Sequence, residues 1–243
     1  MRASSIASLL LVTALMGALG TPFTATSVAA PATKANDQGR KVTQRVDQLL
    51  RTVIKSQDGS AVAVQLTPTA RASQGYFSDI RVSGGAAKLK SLFVSEFDLH
   101  AKNVQVDVPS LWSESKIRTN KSQTSLRVVI TEQDLTRMLG AGKHTKDMQL
   151  KVKYVGDKMK ITGQLNFPFL NGPIAGTGKL RQTSDHNVYL DILSLQLRGI
   201  EAPGFVKNQL ASHINPVVKY ANVPFSPPFR SLKVVGNKAI LST

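Results

Sequence analysis

The chain has 243 residues, no cysteine and a formal net charge of +16. The missing cysteines exclude disulfides, thiolate metal sites and a lipoprotein anchor at a cleavage site. So large a positive charge points to a polyanionic neighbour, an anionic lipid surface or a cell-wall polymer, with plain solubility as the simpler alternative.

The chain opens like an exported protein. Arg2 precedes an uncharged apolar run over 6–19, long enough for the core of an export signal and too short to span a bilayer. Ser27-Val28-Ala29 ahead of Ala30 fits a cleavage site, with Ala18-Leu19-Gly20 as a second option. Residues 1–29 are therefore predicted to be a signal peptide, 30–36 a flexible tether and 37–243 one domain of an exported, periplasmic or envelope-associated protein that is not a lipoprotein.

Residues 37–56 predict the first helix. Val42, Val46, Leu49, Leu50, Val53 and Ile54 recur three and four apart and share one face, while Arg45, Asp47, Gln48, Arg51 and Thr52 fill the other. Asn36 or Asp37 is the expected N-cap and Gln57-Asp58-Gly59 the stop. Buried aliphatic side chains of this kind are worth about 1.5–3 kcal/mol each, so the stripe needs a large apolar surface to lie on.

Strands follow. Residues 61–66 end before Pro68, 76–82 alternate up to Gly84-Gly85, alternation continues through 89–108, and 125–130 form another strand. Thr131 then caps a short helix whose acids sit at its positive end and whose apolar face is Leu135, Met138 and Leu139, stopped by Gly140 and Gly142. From Asp147 the pattern is strands and tight turns: 148–154 returns through Gly156-Asp157 as 159–169, and 174–181 pairs with 188–197 across Ser184-Asp185-His186-Asn187. A second amphipathic helix starts at Pro203 with the face Phe205, Val206, Leu210, Ile214, Val217 and Val218, and Pro216 implies a kink or two pieces. A Pro-rich crossing over 223–229 leads to a hairpin, 232–235 and 239–241, turning at Gly236-Asn237. The sum is an α+β fold, two amphipathic helices against a long, curved antiparallel sheet with one wet face.

Catalytic and metal chemistry is not evident. His100, His144, His186 and His213 stand far apart with no metal-ligand spacing, and Ser113-Glu114-Ser115-Lys116 matches Ser-x-x-Lys without the Lys-Thr-Gly that would accompany it. Neither Gly-x-Ser-x-Gly nor His-Glu-x-x-His occurs, and no glycine-rich phosphate loop does. The chain reads as non-enzymatic, without metal or cofactor. Nucleic-acid binding is disfavoured by export and by basic residues spread over many strands instead of clustering with stacking aromatics.

Several short motifs in order resemble the LmeA-like phospholipid-binding family of exported bacterial proteins. They are Gly75-Tyr76-Phe77-Ser78-Asp79-Ile80, Ile130-Thr131-Glu132-Gln133-Asp134-Leu135, the segment from Gly199 to Pro203, Ile214-Asn215-Pro216, and Val223-Pro224-Phe225 ahead of the last hairpin. The family more usually has Leu at positions 130 and 223, a volume-conserving difference. The resemblance spans about residues 42–243. It implies a relative of tubular lipid-binding folds, in which a curved sheet wraps the N-terminal amphipathic helix and leaves an apolar groove, and it implies a phospholipid or other acyl lipid as partner.

Periodicity does not separate a lined groove from a filled core, so groove residues are inferred from placement. Leu50, Ile54 and Leu210 sit on the two helix stripes, joined by Phe205. Phe167, Phe169 and Leu170 precede Asn171-Gly172-Pro173, and Phe225 and Phe229 lie in the Pro-rich crossing. With Trp112 after Pro109, these bulky residues in turn chemistry are the expected mouth, the alternative being plugs on the sheet ends. Lys143, Lys146, Lys151, Lys153, Lys158 and Lys160 form the expected contact with an anionic surface. A competing reading is an envelope interaction module that docks this basic face on anionic cell-wall polymer or membrane and has no cavity.

Overall fold

The computed structural model describes residues 32–142, 145–167, 170–225 and 227–243. Within them the elements run α1 (Ala32–Val53), β1 (Ile54–Ser56), β2 (Ala63–Pro68), β3 (Tyr76–Gly84), β4 (Ala87–Leu89), β5 (Leu92–Val94), β6 (Glu96–Val106), α2 (Val108–Ser113), β7 (Thr119–Thr131) and α3 (Glu132–Gly140). The second half runs β8 (Lys151–Val155), β9 (Lys158–Phe167), β10 (Leu170–Gln182), β11 (Val188–Leu197), β12 (Ile200–Glu201), α4 (Gly204–Ile214), β13 (Ser231–Val235) and β14 (Lys238–Ser242).

The first helix buries the expected stripe, Val42, Val46, Leu49 and Leu50, but both of its ends differ from the sequence reading. It begins at Ala32, inside the stretch expected to be a tether, because Ala32, Lys34 and Ala35 are strong helix formers. It stops at Val53, ahead of the predicted end at Ser56. Ile54, Lys55 and Ser56 instead pair antiparallel with Leu89, Lys88 and Ala87, a conformation that suits the β-branched Ile54.

All strand pairs are antiparallel, and the strands divide among three sheets where the sequence suggested one long sheet. The largest has the order β13-β14-β7-β6-β3-β2, the second β12-β11-β10-β9-β8, and the small third β1-β4-β5. The break between the two large sheets is chemical. Thr131 ends β7 and caps α3, its hydroxyl accepting from the Asp134 N–H at 3.2 Å while the Asp134 carboxylate accepts from the Thr131 N–H at 2.9 Å. That reciprocal cap turns the chain out of the first sheet before β8 begins the next.

Turn residues fall where expected. Gly156 (φ 62) joins β8 to β9 and Gly236 (φ 58) joins β13 to β14. Gly75 explains part of its motif: its φ of 85 is left-handed, and a Cβ there would collide with the Val106 carbonyl.

The second helix ends at Ile214, so Val217 and Val218 leave the face they were predicted to share with it. Pro216 cannot continue the ladder. Instead Asn215 clasps β11, its Oδ1 accepting from the Leu190 N–H at 2.7 Å and its Nδ2 donating to the Leu190 carbonyl at 3.0 Å. Val218 then makes a bridge with Val188. Val206, Leu210 and Ile214 are buried, but Phe205 lies off their stripe and is exposed. The buried residues of α1, α3, α4 and all three sheets form one continuous core.

Two predictions follow from this packing. Leu50→Asp places an unpaired charge in that core and is expected to cost several kcal/mol, whereas Arg51→Ala, which loses exposed bonds to Asp47 and the Val62 carbonyl, should stay within about 1 kcal/mol of the parent. Paired chemical-denaturation curves measure both. In the β10–β11 turn, hydrogen bonds from the Thr183 hydroxyl, the Asn187 side chain and N–H, and Tyr189 hold the Asp185 carboxyl down at about 2, against an ordinary 3.8. A lowered folded pKa stabilises above the ordinary value, and that contribution fades as pH falls through the folded one. Asp185→Asn is therefore expected to flatten the fall of melting temperature between about pH 4 and pH 2.

Candidate functional site

The end of α1 forms one side of an apolar cleft of about 450 Å³. Leu50 and Val53 come from its last turns, Ile117 from the segment leading into β7, and Val223, Pro224 and Phe225 from the crossing after α4. Leu50 borders this space but has no solvent exposure, so its side chain packs in the core directly behind the cleft.

Cations rim the opening. Lys90 stands in the tight turn between β4 and β5, held there by a bond from its Nζ to the Ala221 carbonyl at 3.0 Å. Lys116 and Arg118 line the same cleft and share one carboxylate: Arg118 reaches Glu114 at 2.6 Å and Lys116 at 3.4 Å. Burial raises the pKa of the Glu114 carboxyl, but the bonds from Arg118 and Lys116 outweigh it and the net shift is downward. Three cations against one carboxylate leave the lip positive. Arg45 of α1 braces the same segment by donating to the Leu111 carbonyl at 3.1 Å and to the Ser115 hydroxyl at 2.8 Å.

Phe225 also borders a second, polar cleft of about 630 Å³, with Lys102, Arg230, His100 and the hydroxyls of Ser122, Thr124 and Ser125 around it. His100 is paired with Asp79, and that hydrogen bond lowers the Asp79 pKa against the effect of burial, with help from Arg81. Phe225 is held at φ 61, in the left-handed region that a bulky residue rarely adopts. Phe225 thus lines both an apolar space and a polar one.

The structure gathers some of the predicted residues and disperses others. Leu50 and Phe225 meet in the apolar cleft. Ile54 is buried in β1, Leu210 under α4, and Phe229 in the core, where its carbonyl accepts from Gln182 and from the His186 ring at 3.1 Å. Trp112 is exposed on α2 with the Arg45 guanidinium 5.7 Å from its ring centre, and Phe205 is exposed on α4. Lys143 and Phe169 lie outside the described residues, as do the side chains of Phe167 and Leu170. Ser113 and Lys116 are engaged apart, with the Pro109 carbonyl and with Glu114. Of the cleft cations, Lys90 and Arg118 were not singled out from sequence, and Lys116 only as the last residue of the Ser-x-x-Lys match; the local signal at Lys90 is a two-residue turn between short apolar runs.

The predicted lysines remain a surface feature. Lys151, Lys153, Lys158 and Lys160 are exposed on β8 and β9, and the register sets Lys153 directly opposite Lys160. Like charges so placed disfavour the sheet. Among the described residues no carboxylate lies within ion-pair distance of Lys151, Lys153 or Lys160.

The domain is α+β with antiparallel sheets, and its apolar cleft is lined also by Lys90, Lys116 and Arg118. The chain belongs to the LmeA-like phospholipid-binding family, whose model matches residues 39–241. No curated protein and no solved structure matches it.

Phe225→Gly tests the contribution of this ring. Relief of the left-handed strain and loss of the half-buried ring offset each other, so stability should change by no more than about 1–2 kcal/mol. Retention of a fluorescent phospholipid should nevertheless fall, because the apolar cleft then loses the aromatic side chain that lines it. A thermal melt beside a lipid-retention assay reads both.

Proposed function

We propose that the protein is an exported, non-enzymatic phospholipid carrier of the cell envelope. In this reading the strands curve around α1, and an acyl chain lies in the cleft over Leu50, Val53, Ile117 and Phe225 while Lys90, Lys116 and Arg118 receive the phosphate. The observation that carries it is the joining of these two chemistries at one opening, in a chain whose family is described by phospholipid binding. A cleft of this size falls within the range of about 300–1,000 Å³ usual for small-molecule sites, and charge-assisted bonds from Lys and Arg suit a phosphodiester. The apolar run at 6–19 and the small residues before Ala30 support export.

Native mass spectrometry of gently purified protein is expected to show a bound phospholipid that organic extraction removes. Protein that purifies empty and takes up no phospholipid from vesicles would overturn the reading. Ile117→Trp, which fills the cleft from one wall, is expected to reduce uptake with little change in melting temperature.

A second reading, docking by the lysine face on anionic polymer or membrane, rests on Lys153 facing Lys160 without countercharge. Converting Lys151, Lys153, Lys158 and Lys160 to Glu should remove salt-sensitive binding to anionic vesicles, each lysine contributing about 1 kcal/mol near such a surface. Co-sedimentation at low salt measures it.

A further inference from the structure

The end of the five-stranded sheet where β11 turns into β12 presents apolar surface that the core does not use. Arg198 (φ 53) and Gly199 (φ 80) make a two-residue turn with both residues left-handed, the geometry that joins antiparallel strands tightly. Just beyond it Ile200 is 75% exposed, and Phe205 in the first turn of α4 is 59% exposed, although Ala202 and Val206 next to them are buried. The segment is anchored at several points. The Ala202 N–H donates to the Leu195 carbonyl at 2.8 Å, the Arg198 N–H to the Pro173 carbonyl at 2.9 Å, and the Arg198 Nε to the Asn171 carbonyl at 2.8 Å. The two apolar side chains are thus displayed on a braced tip. Arg198 and Lys207 flank them, and the sole carboxylate over 198–207, Glu201, engages Lys207 at 3.4 Å.

We propose that this tip docks the protein on the interface of an anionic lipid bilayer. Ile200 and Phe205 enter the boundary between headgroups and acyl chains, and Arg198 and Lys207 reach the phosphates above them. Bulky apolar side chains flanked by cations are what this boundary accepts, with apolar parts leaving water and charged ends staying at the headgroup level. The net charge of +16 adds long-range attraction to such a surface. A second copy of the chain suits the tip less well, because pairing two tips brings like charges together. Neither Ile200 nor Phe205 lines the apolar cleft, so docking succeeds or fails separately from lipid binding there.

The test uses the full exported chain with phosphatidylcholine vesicles made with and without phosphatidylglycerol. Ile200→Ser/Phe205→Ser, both on the surface, should melt like the parent and lose about tenfold or more in affinity for the anionic vesicles. In a Trp112→Phe background, the emission of Phe205→Trp should shift to the blue when those vesicles are added. Unchanged vesicle binding by the double Ser variant, or emission that does not shift, would overturn the proposal. So would a dimer seen by analytical ultracentrifugation that the Ser variant abolishes while vesicle binding persists, since the tip would then be a self-association surface. The same holds if only the lysine-to-glutamate variant of the β8–β9 face loses binding.

Discussion

Burial of the α1 stripe is the interaction on which the rest depends. Val42, Val46, Leu49 and Leu50 are removed from water together, and side chains of this size contribute about 1.5–3 kcal/mol each on burial. The stripe ends where the chain changes structure. Ile54 gives up the helix to pair with Leu89 in the small sheet, and the last helical residue, Val53, borders the cleft. Core and cleft are therefore coupled through Leu50, which has no exposed surface and still forms part of the cleft wall. Enlarging the cleft at that point would also remove packing from the helix, which limits how far the site can vary without weakening the fold.

Charge is organised in two ways. Where carboxylates are available, cations are paired with them across strands or along helices, as in Arg181 with Asp191 and Lys179 with Asp157; such exposed pairs add little stability. The lip of the cleft and the outer face of β8 and β9 differ, with cations outnumbering or lacking carboxylates. An excess of like charge weakens a folded chain slightly, so its concentration at these places is more informative than the net charge alone. At the lip, Lys90 and Arg118 are held by bonds of their own, to the Ala221 carbonyl and to Glu114.

Local structure was legible in the sequence wherever one residue decides it. Thr131 with Asp134 specified a helix start, Gly156 and Gly236 specified hairpins, and the three-and-four spacing of Val42 to Leu50 specified the buried face of α1. Competition between alternatives was less legible. Residues 54–56 fit the helical period and also β-pairing, and only the presence of β4 decides between them. Val217 and Val218 likewise fit the α4 period, yet Asn215 and Pro216 take them out of it. The division of the strands into three sheets depends on partners far apart in the chain, which alternation does not encode. The same is true of the cleft. Leu50 lay on a recognisable stripe and Phe225 in a recognisable motif, but Lys90, Lys116 and Arg118 have ordinary local contexts and acquire meaning only because the fold brings segments near 50, 90, 117 and 224 together.

Phe225 combines an unusual backbone with a place in both clefts. A left-handed backbone at a phenylalanine costs about 1–3 kcal/mol, and a fold tolerates such strain only where surrounding contacts over-determine it. Here Pro224, with its own φ fixed, precedes Phe225, and Phe225 lines two spaces of opposite character. An apolar ligand would gain nothing from the hydroxyls, Lys102 and Arg230 on one side. A fully polar ligand would gain nothing from Leu50, Val53 and Ile117 on the other. The two spaces therefore suit different chemistry, and Phe225 is the residue that lines both.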